Sequence, residues 1–464
     1  MSAAGARRGK GLPREGSRSI FRTPPALAAR PSMPASSRLA LLLLFCLAGL
    51  AIGCATTEEG TREESPFVDD GSPGLILNRP SDLARTVQLY RTGNEGSLPV
   101  LPLGSGQTLT LEFDVLGEIG DTYSIYFYHA DRQWRRDLLP VEYLQTFQSD
   151  DIRDYELSLA TEVRYSHYEY VFPNQNIQFL RSGNYILRVA EGGDESAVVF
   201  EEAFFVSEQS AEVDFAIQSG LGAGSYFQPL VRLRPPDQFD NPVYNYNVCF
   251  ARNGRFALAR CAEDPTLVGG SLFEFLLPRE TAFTHEGPLY ELDFARLQAG
   301  PQVVEVDLST SPYTAILDLD YARFGGDLFD RDLTGQTLVS TVVEDAPGPA
   351  DIAAEYVLTR FRFVPQNEEP AAGPVILSGS FNGWVVDPAY ELTWNAAERF
   401  YETDVLIKQG RYIYRYYVDD PAEHERIRRT AGLGQPNVYT AFVYLYDPAY
   451  DTDRLLAVSN VLGQ

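Results

Sequence analysis

The chain has 464 residues, with 38 basic and 64 acidic side chains and a formal net charge of −26. Residues 1–53 hold eight of the basic residues and one of the acidic ones, so the remainder carries about −33, a field that argues against nucleic acid and bare anionic lipid as partners. Arginine supplies the positive charge, because Lys10 and Lys408 are the only lysines, and the 12% of aromatic residues favours strands.

Basic Arg38 precedes an apolar run from Leu39 to Ile52. The run is too short to span a bilayer and fits the apolar region of a secretory signal. Met33 reads as the start of that signal, with residues 1–32 an extension outside it. Leu50, Ala51, Ile52 and Gly53 before Cys54 resemble a bacterial lipobox. That resemblance implies that Cys54 is lipidated and begins the mature chain. Ala55, where an Asp would favour inner-membrane retention, points to the outer membrane. Residues 54–79 are rich in Glu, Asp, Thr, Gly and Ser and are expected to form an acidic tether.

Residues 80–208 are expected to form a first β-sandwich. Leu109, Leu111 and Phe113 alternate with polar residues, the pattern of a half-buried strand. Residues 123–128 are more apolar and suit a strand buried on both faces. Residues 138–147 read as a loop or short helical turn. Strands recur about every dozen residues without a long amphipathic helix, which points to a sandwich.

Residues 209–365 are expected to form a middle sandwich. Within it Cys249 and Cys261 flank the Asn253-Gly254 hairpin signal. A tight turn there sets Cys249 opposite Leu258, which opposes a disulfide, whereas an oxidising compartment favours one. Both readings stand on sequence alone. Residues 366–374 read as a linker, residues 366–450 as a third sandwich, and residues 451–464 as a tail. In the third unit Tyr412, Tyr414 and Tyr416 share one face. The fold class expected is therefore all-β: tandem immunoglobulin-like sandwiches behind a lipoprotein signal and tether.

Motifs for catalysis are missing from the sequence. His129, His167, His285 and His424 show no metal-ligand spacing, and no P-loop or nucleophile elbow occurs. Asp318 with Asp320, and Asp447 with Asp451 and Asp453, lack the glycine and closing glutamate of a calcium loop. A non-enzyme without metal or cofactor is expected.

An ordered series of fragments carries a resemblance. It comprises Thr86-Val-Gln-Leu-Tyr-Arg91, residues 98–114, Asp137-Leu-Leu-Pro-Val-Glu-Tyr-Leu144, residues 150–156, Tyr165-Ser-His-Tyr168 and Ser182-Gly-Asn-Tyr185. Together they resemble the plug-protein family of the type IX secretion system. The resemblance implies an all-β periplasmic protein that closes the inner mouth of a very large outer-membrane translocon barrel. Tyr143, Phe147, Tyr165, His167 and Tyr168 are the expected contacts with that partner. A second resemblance, carried by Ser378-Gly-Ser-Phe-Asn-Gly-Trp384 and residues 409–419, is to glycogen-binding early-set domains. It implies a sugar platform at Trp384. Arg415 stands where that family has Lys, and no second Trp follows, so carbohydrate is the weaker alternative.

Overall fold

The computed structural model describes residues 83–117, 119–220, 226–236, 242–270, 272–284, 288–322, 338–339, 348–420 and 437–463. The signal, Cys54 and the tether lie outside them. The chain is all-β, with six sheets arranged as three sandwiches.

The first sandwich has one sheet of Ala84–Arg91, Leu109–Leu116, Tyr165–Phe172 and Glu156–Leu157. The facing sheet has Val100–Pro102, Val198–Ser207, Gly183–Glu191, Tyr123–Ala130 and Ser149–Ile152. Leu109, Leu111 and Phe113 point inward, as their alternation predicts, and meet Phe172, Tyr170 and Tyr168 across the strand pair. Tyr168 stacks on Phe113 with ring centroids 4.8 Å apart.

Pairing departs from the boundaries expected at 209–365, 366–450 and 451–464. The second sandwich combines Glu212–Gly220, Tyr226–Arg234 and Leu272–Leu276 with a sheet in which Tyr246–Arg252 pairs with Asn437–Asp447. That strand in turn pairs with Thr452–Gly463, so the expected tail is a 12-residue strand of a middle sheet. The third sandwich spans Tyr290–Asp293 to Gly410–Val418 and is inserted between the two parts of the second. The expected linker at 366–374 joins two strands of that one sandwich, Tyr356–Val364 and Val375–Gly379. Composition marks a loop, but it does not reveal which sheet the next strand joins.

All described residues belong to one compact unit. The outer face of each first-sandwich sheet is covered. Tyr128, Ile186 and Phe205 pack on Phe442, Tyr444 and Leu455 of the second sandwich, which is why residues 123–128 are apolar on both sides. The opposite outer face, with Thr110, Glu112 and Asp114, is buried as well. Alternation alone assigns those three residues to solvent; the neighbouring 348–356 segment and Lys408 cover the strand's polar side instead.

Candidate functional site

Pro140 presets the backbone of a single helical turn, Pro140–Tyr143, and Glu142 Oε2 accepts the Leu139 amide at 2.8 Å. The turn is amphipathic at the scale of single residues. Tyr143 is driven inward, and its hydroxyl donates to the Phe127 carbonyl at 2.8 Å. Leu139 and Val141 stay outside. The chain then runs beside 176–180: the Leu180 amide donates to Tyr143 O at 2.8 Å and the Phe147 amide to Asn176 O at 3.1 Å. Leu139, Val141, Phe147 and Leu180 are thereby held on two adjoining segments with 66%, 79%, 64% and 47% of their surface exposed. Four exposed apolar side chains on two hydrogen-bonded segments make this edge a candidate docking surface.

A second constellation lies on the polar outer face of the same sandwich. Asp114 is fully buried; it accepts Lys408 Nζ at 2.7 Å and the Tyr356 hydroxyl at 2.7 Å on one oxygen, and His167 Nδ1 lies 2.8 Å from the other. Lys408 also donates to the Asp351 carbonyl at 2.6 Å and lies 4.3 Å from the centre of the Tyr165 ring. Burial opposes ionisation of Asp114, yet Lys408 and His167 outweigh it and hold the carboxyl below its usual range. Burial likewise opposes the imidazolium, and the Asp114 bond and charge outweigh that and raise His167. Glu355 extends the joint by accepting the Glu162 and Val163 amides at 2.6 and 3.0 Å.

Among the described residues, Glu112, His167 and Asp351 form the set closest to a metal centre, with one donor atom of each within 4.8 Å of the others. Tyr90 and Gln88 already hydrogen-bond the two Glu112 oxygens. Of the weak acidic pairs, Asp320 accepts the Tyr414 and Tyr416 hydroxyls at 2.8 and 2.6 Å, and Asp453 is bound by Arg132 at 3.0 Å.

The expected partner contacts separate into two groups. Phe147 is exposed. Tyr143, Tyr165, Tyr168 and His167 are buried, because each uses its ring or polar tip inside the fold rather than outside it. Tyr165, for example, donates to the Asp351 and Ala354 carbonyls at 3.0 and 2.9 Å, tying the first sandwich to the third. Trp384 is buried with Leu289 and Ile413, with the Arg255 guanidinium 5.7 Å from its ring centre, and Arg415 is buried too. Neither offers a face to a sugar. Cys249 and Cys261 are disulfide-bonded and sit directly opposite each other. The turn Phe256–Leu258 lengthens the hairpin beyond the tight Asn-Gly loop, which shifts the register from Leu258 to Cys261. Leu139, Val141 and Leu180 were missed as surface contacts; Pro140 beside a carboxylate at the third helical position was the available signal. Nothing local marks Lys408 as buried except its rarity.

Residues 84–208 match the family model described as "Type 9 secretion system plug protein 1st domain". A hypothetical protein from Parabacteroides merdae ATCC 43184, solved by crystallography, is 23% identical, with a TM-score of 0.74 over 84% of this chain and 99% of that one. That likeness extends the shared fold across all three sandwiches. Native alpha-2-macroglobulin from Escherichia coli (domains NIE-MG1) is 10% identical over 44% of this chain and 90% of that one, at a TM-score of 0.17. No curated protein matches the chain significantly.

Proposed function

We propose that this chain is a non-catalytic accessory of type 9 secretion that closes the periplasmic mouth of the translocon barrel. The observation that carries the reading is the match of residues 84–208 to the first domain of plug proteins, in the same sandwich that displays the Leu139–Val141–Phe147–Leu180 ridge. A plug acts by shape and by a releasable contact. Three sandwiches packed as one unit supply a stiff body, and an apolar ridge among polar residues supplies a contact of modest area. No described helix is long and apolar enough to cross a membrane, and the proposed attachment is lipidation at Cys54. A lipid tether would raise the local concentration of the plug at the barrel. The resulting place is the periplasmic side of the outer membrane.

The test is affinity purification of the tagged chain from detergent-solubilised outer membranes, beside a Val141→Asp/Phe147→Asp variant. The reading expects a very large barrel to co-purify with the wild type and to be lost from the variant. Equal recovery with both would remove the ridge from the contact. Absence of any barrel from the wild-type preparation would overturn the plug reading as a stable complex.

A further inference from the structure

The polar outer face of the first sandwich gathers donor groups that the ionic joint leaves unused. Glu112 stands on the strand Leu109–Leu116, two residues before Asp114, and His167 lies opposite Asp114 on the strand Tyr165–Phe172, so all three share that face. The single helical turn Ala350–Ala353 is fastened there by its backbone: the Asp351 carbonyl accepts the Lys408 ammonium at 2.6 Å and the Tyr165 hydroxyl at 3.0 Å. The Asp351 carboxylate takes no part in those bonds. One donor atom each of Glu112, His167 and Asp351 lies within 4.8 Å of the others, from three separate elements.

Each of the three is prepared in a different way. Asp114 holds His167 Nδ1 at 2.8 Å, which orients the ring and leaves Nε2 as its donor. A carboxylate behind an imidazole is the support that metal-bound histidines have. Tyr90 and Gln88 fix the buried Glu112 carboxyl with one bond to each oxygen, at 2.7 and 3.3 Å. An ionised carboxylate keeps a further lone pair on each oxygen. The Asp351 carboxylate is half-buried and takes no hydrogen bond or ion pair among the described residues, so it is able to swing. Glu95, in the turn after Ala84–Arg91, adds a further negative charge that acts on Glu112. Carboxylates crowded in this way repel one another unless a cation joins them.

We propose that Glu112, His167 and Asp351 bind a divalent ion of the zinc class, which clips the Ala350–Ala353 turn to the first sandwich. One imidazole nitrogen with carboxylate oxygens suits zinc, whereas calcium and magnesium take oxygen ligands alone. Three protein donors leave a fourth position for water or for Glu95. Ligands at about 2.1 Å from one ion lie at most about 4.2 Å apart, so a small movement of the Asp351 side chain closes the observed spread. The ring binds in its neutral form, and any proton on Nε2 leaves to solvent as the ion arrives. Lys408 stays on Asp114, so the ion adds to the ionic joint and replaces none of it.

The experiment is calorimetric titration of the chelator-stripped full chain, at about pH 7.5, with zinc chloride and, separately, with calcium and magnesium chloride. The expected result is one saturable zinc site per chain, with calcium and magnesium weaker by about tenfold or more. The melting temperature should rise with zinc and return to its starting value on addition of EDTA. Asp351→Asn should weaken zinc binding by about tenfold or more and cancel that rise. Its side chain bonds nothing else among the described residues, so the metal-free variant should melt with the wild type. His167→Gln should lose zinc as well, and its metal-free melt reports separately the loss of the Asp114 bond. Full zinc affinity in Asp351→Asn would overturn the site. So would several weak sites that calcium fills as readily as zinc, the behaviour of an acidic surface, or no saturable heat at millimolar zinc.

Discussion

The two outer faces of the first sandwich are joined to their neighbours through different centres, one apolar and one ionic. Towards the second sandwich the joint has an apolar centre, where Phe205 meets Phe442 with ring centroids 4.4 Å apart and Phe256 edge-on at 4.8 Å, with the Arg132–Asp453 and Arg454–Glu208 ion pairs beside it. Towards the third it is ionic and wholly buried, centred on Asp114, Lys408 and His167. The apolar centre gains from area and does not itself titrate. A buried ionic joint gains little net energy, because desolvation offsets attraction, but it penalises every arrangement in which one partner is missing. The ionic joint is therefore the one sensitive to loss of a partner and to titration of Asp114 and His167.

Removing one member of the ionic joint should give the largest effect. Lys408→Met leaves Asp114 buried and uncompensated and should cost about 3–5 kcal/mol of stability. The Asp114→Asn/Lys408→Met double variant should recover most of that loss. Denaturant unfolding of the wild type, both single variants and the double variant measures the coupling. Additive losses would show that the joint is not a unit. On the apolar side, Phe442→Ala should cost about 3–5 kcal/mol through the cavity it leaves, with no dependence on pH between 5 and 8. A pH-dependent loss would blur the distinction between the joints.

Titration sharpens the contrast within the charged groups. Asp114 is held below its ordinary value, so its contribution is present above about pH 4 and fades as pH falls through the folded-state value. His167 is raised, so its contribution is full below about pH 6.5 and fades as pH rises through its folded-state value. Asp320 in the third sandwich has the opposite sign to Asp114. Burial raises it to about 7, against the two tyrosine hydroxyls that favour its charge, so stability falls as pH rises from about 4 to 7. Asp320→Asn should remove that fall, a gain of roughly 2–4 kcal/mol at pH 8 relative to pH 4. Melting curves of both proteins across that range decide it; parallel pH profiles would mean that Asp320 is already ionised without penalty.

The same contrast explains what the sequence could disclose. The apolar joint was legible because double-sided burial leaves a mark: residues 123–128 have no polar row. The ionic joint was not, because Thr110, Glu112 and Asp114 present the alternation of a solvent-facing strand whether water or another sandwich lies opposite. Several residues in the fragments that carried the resemblance, Tyr165 and His167 among the expected partner contacts, work as joints between the sandwiches. Ser182 Oγ donates to Glu208, Asn184 Oδ1 accepts the Tyr444 hydroxyl at 2.8 Å, and Tyr165 and His167 reach the third sandwich or its partners. Gly183 between them has a φ of 151°, and a Cβ there would lie 2.3 Å from His129 Nε2. Strand partners far apart in sequence, such as Tyr246–Arg252 with Asn437–Asp447, leave no local mark, and the division into three successive units failed there.

The smallest expected effect on stability is at the ridge, and its smallness is what makes the ridge informative. Phe147 keeps 64% of its surface in water, so Phe147→Ser removes little buried area and should alter folding stability by no more than about 0.5 kcal/mol. Tyr143, four residues earlier but buried, should behave oppositely: Tyr143→Ala loses core packing and the bond to Phe127 O, at about 3–5 kcal/mol. If the ridge docks on a partner, Phe147→Ser weakens partner recovery while its melting curve overlays the wild type. A Phe147→Ser protein that melts several degrees lower would place the ring within the fold's own packing, and the exposed ridge would then lose its claim as a contact surface.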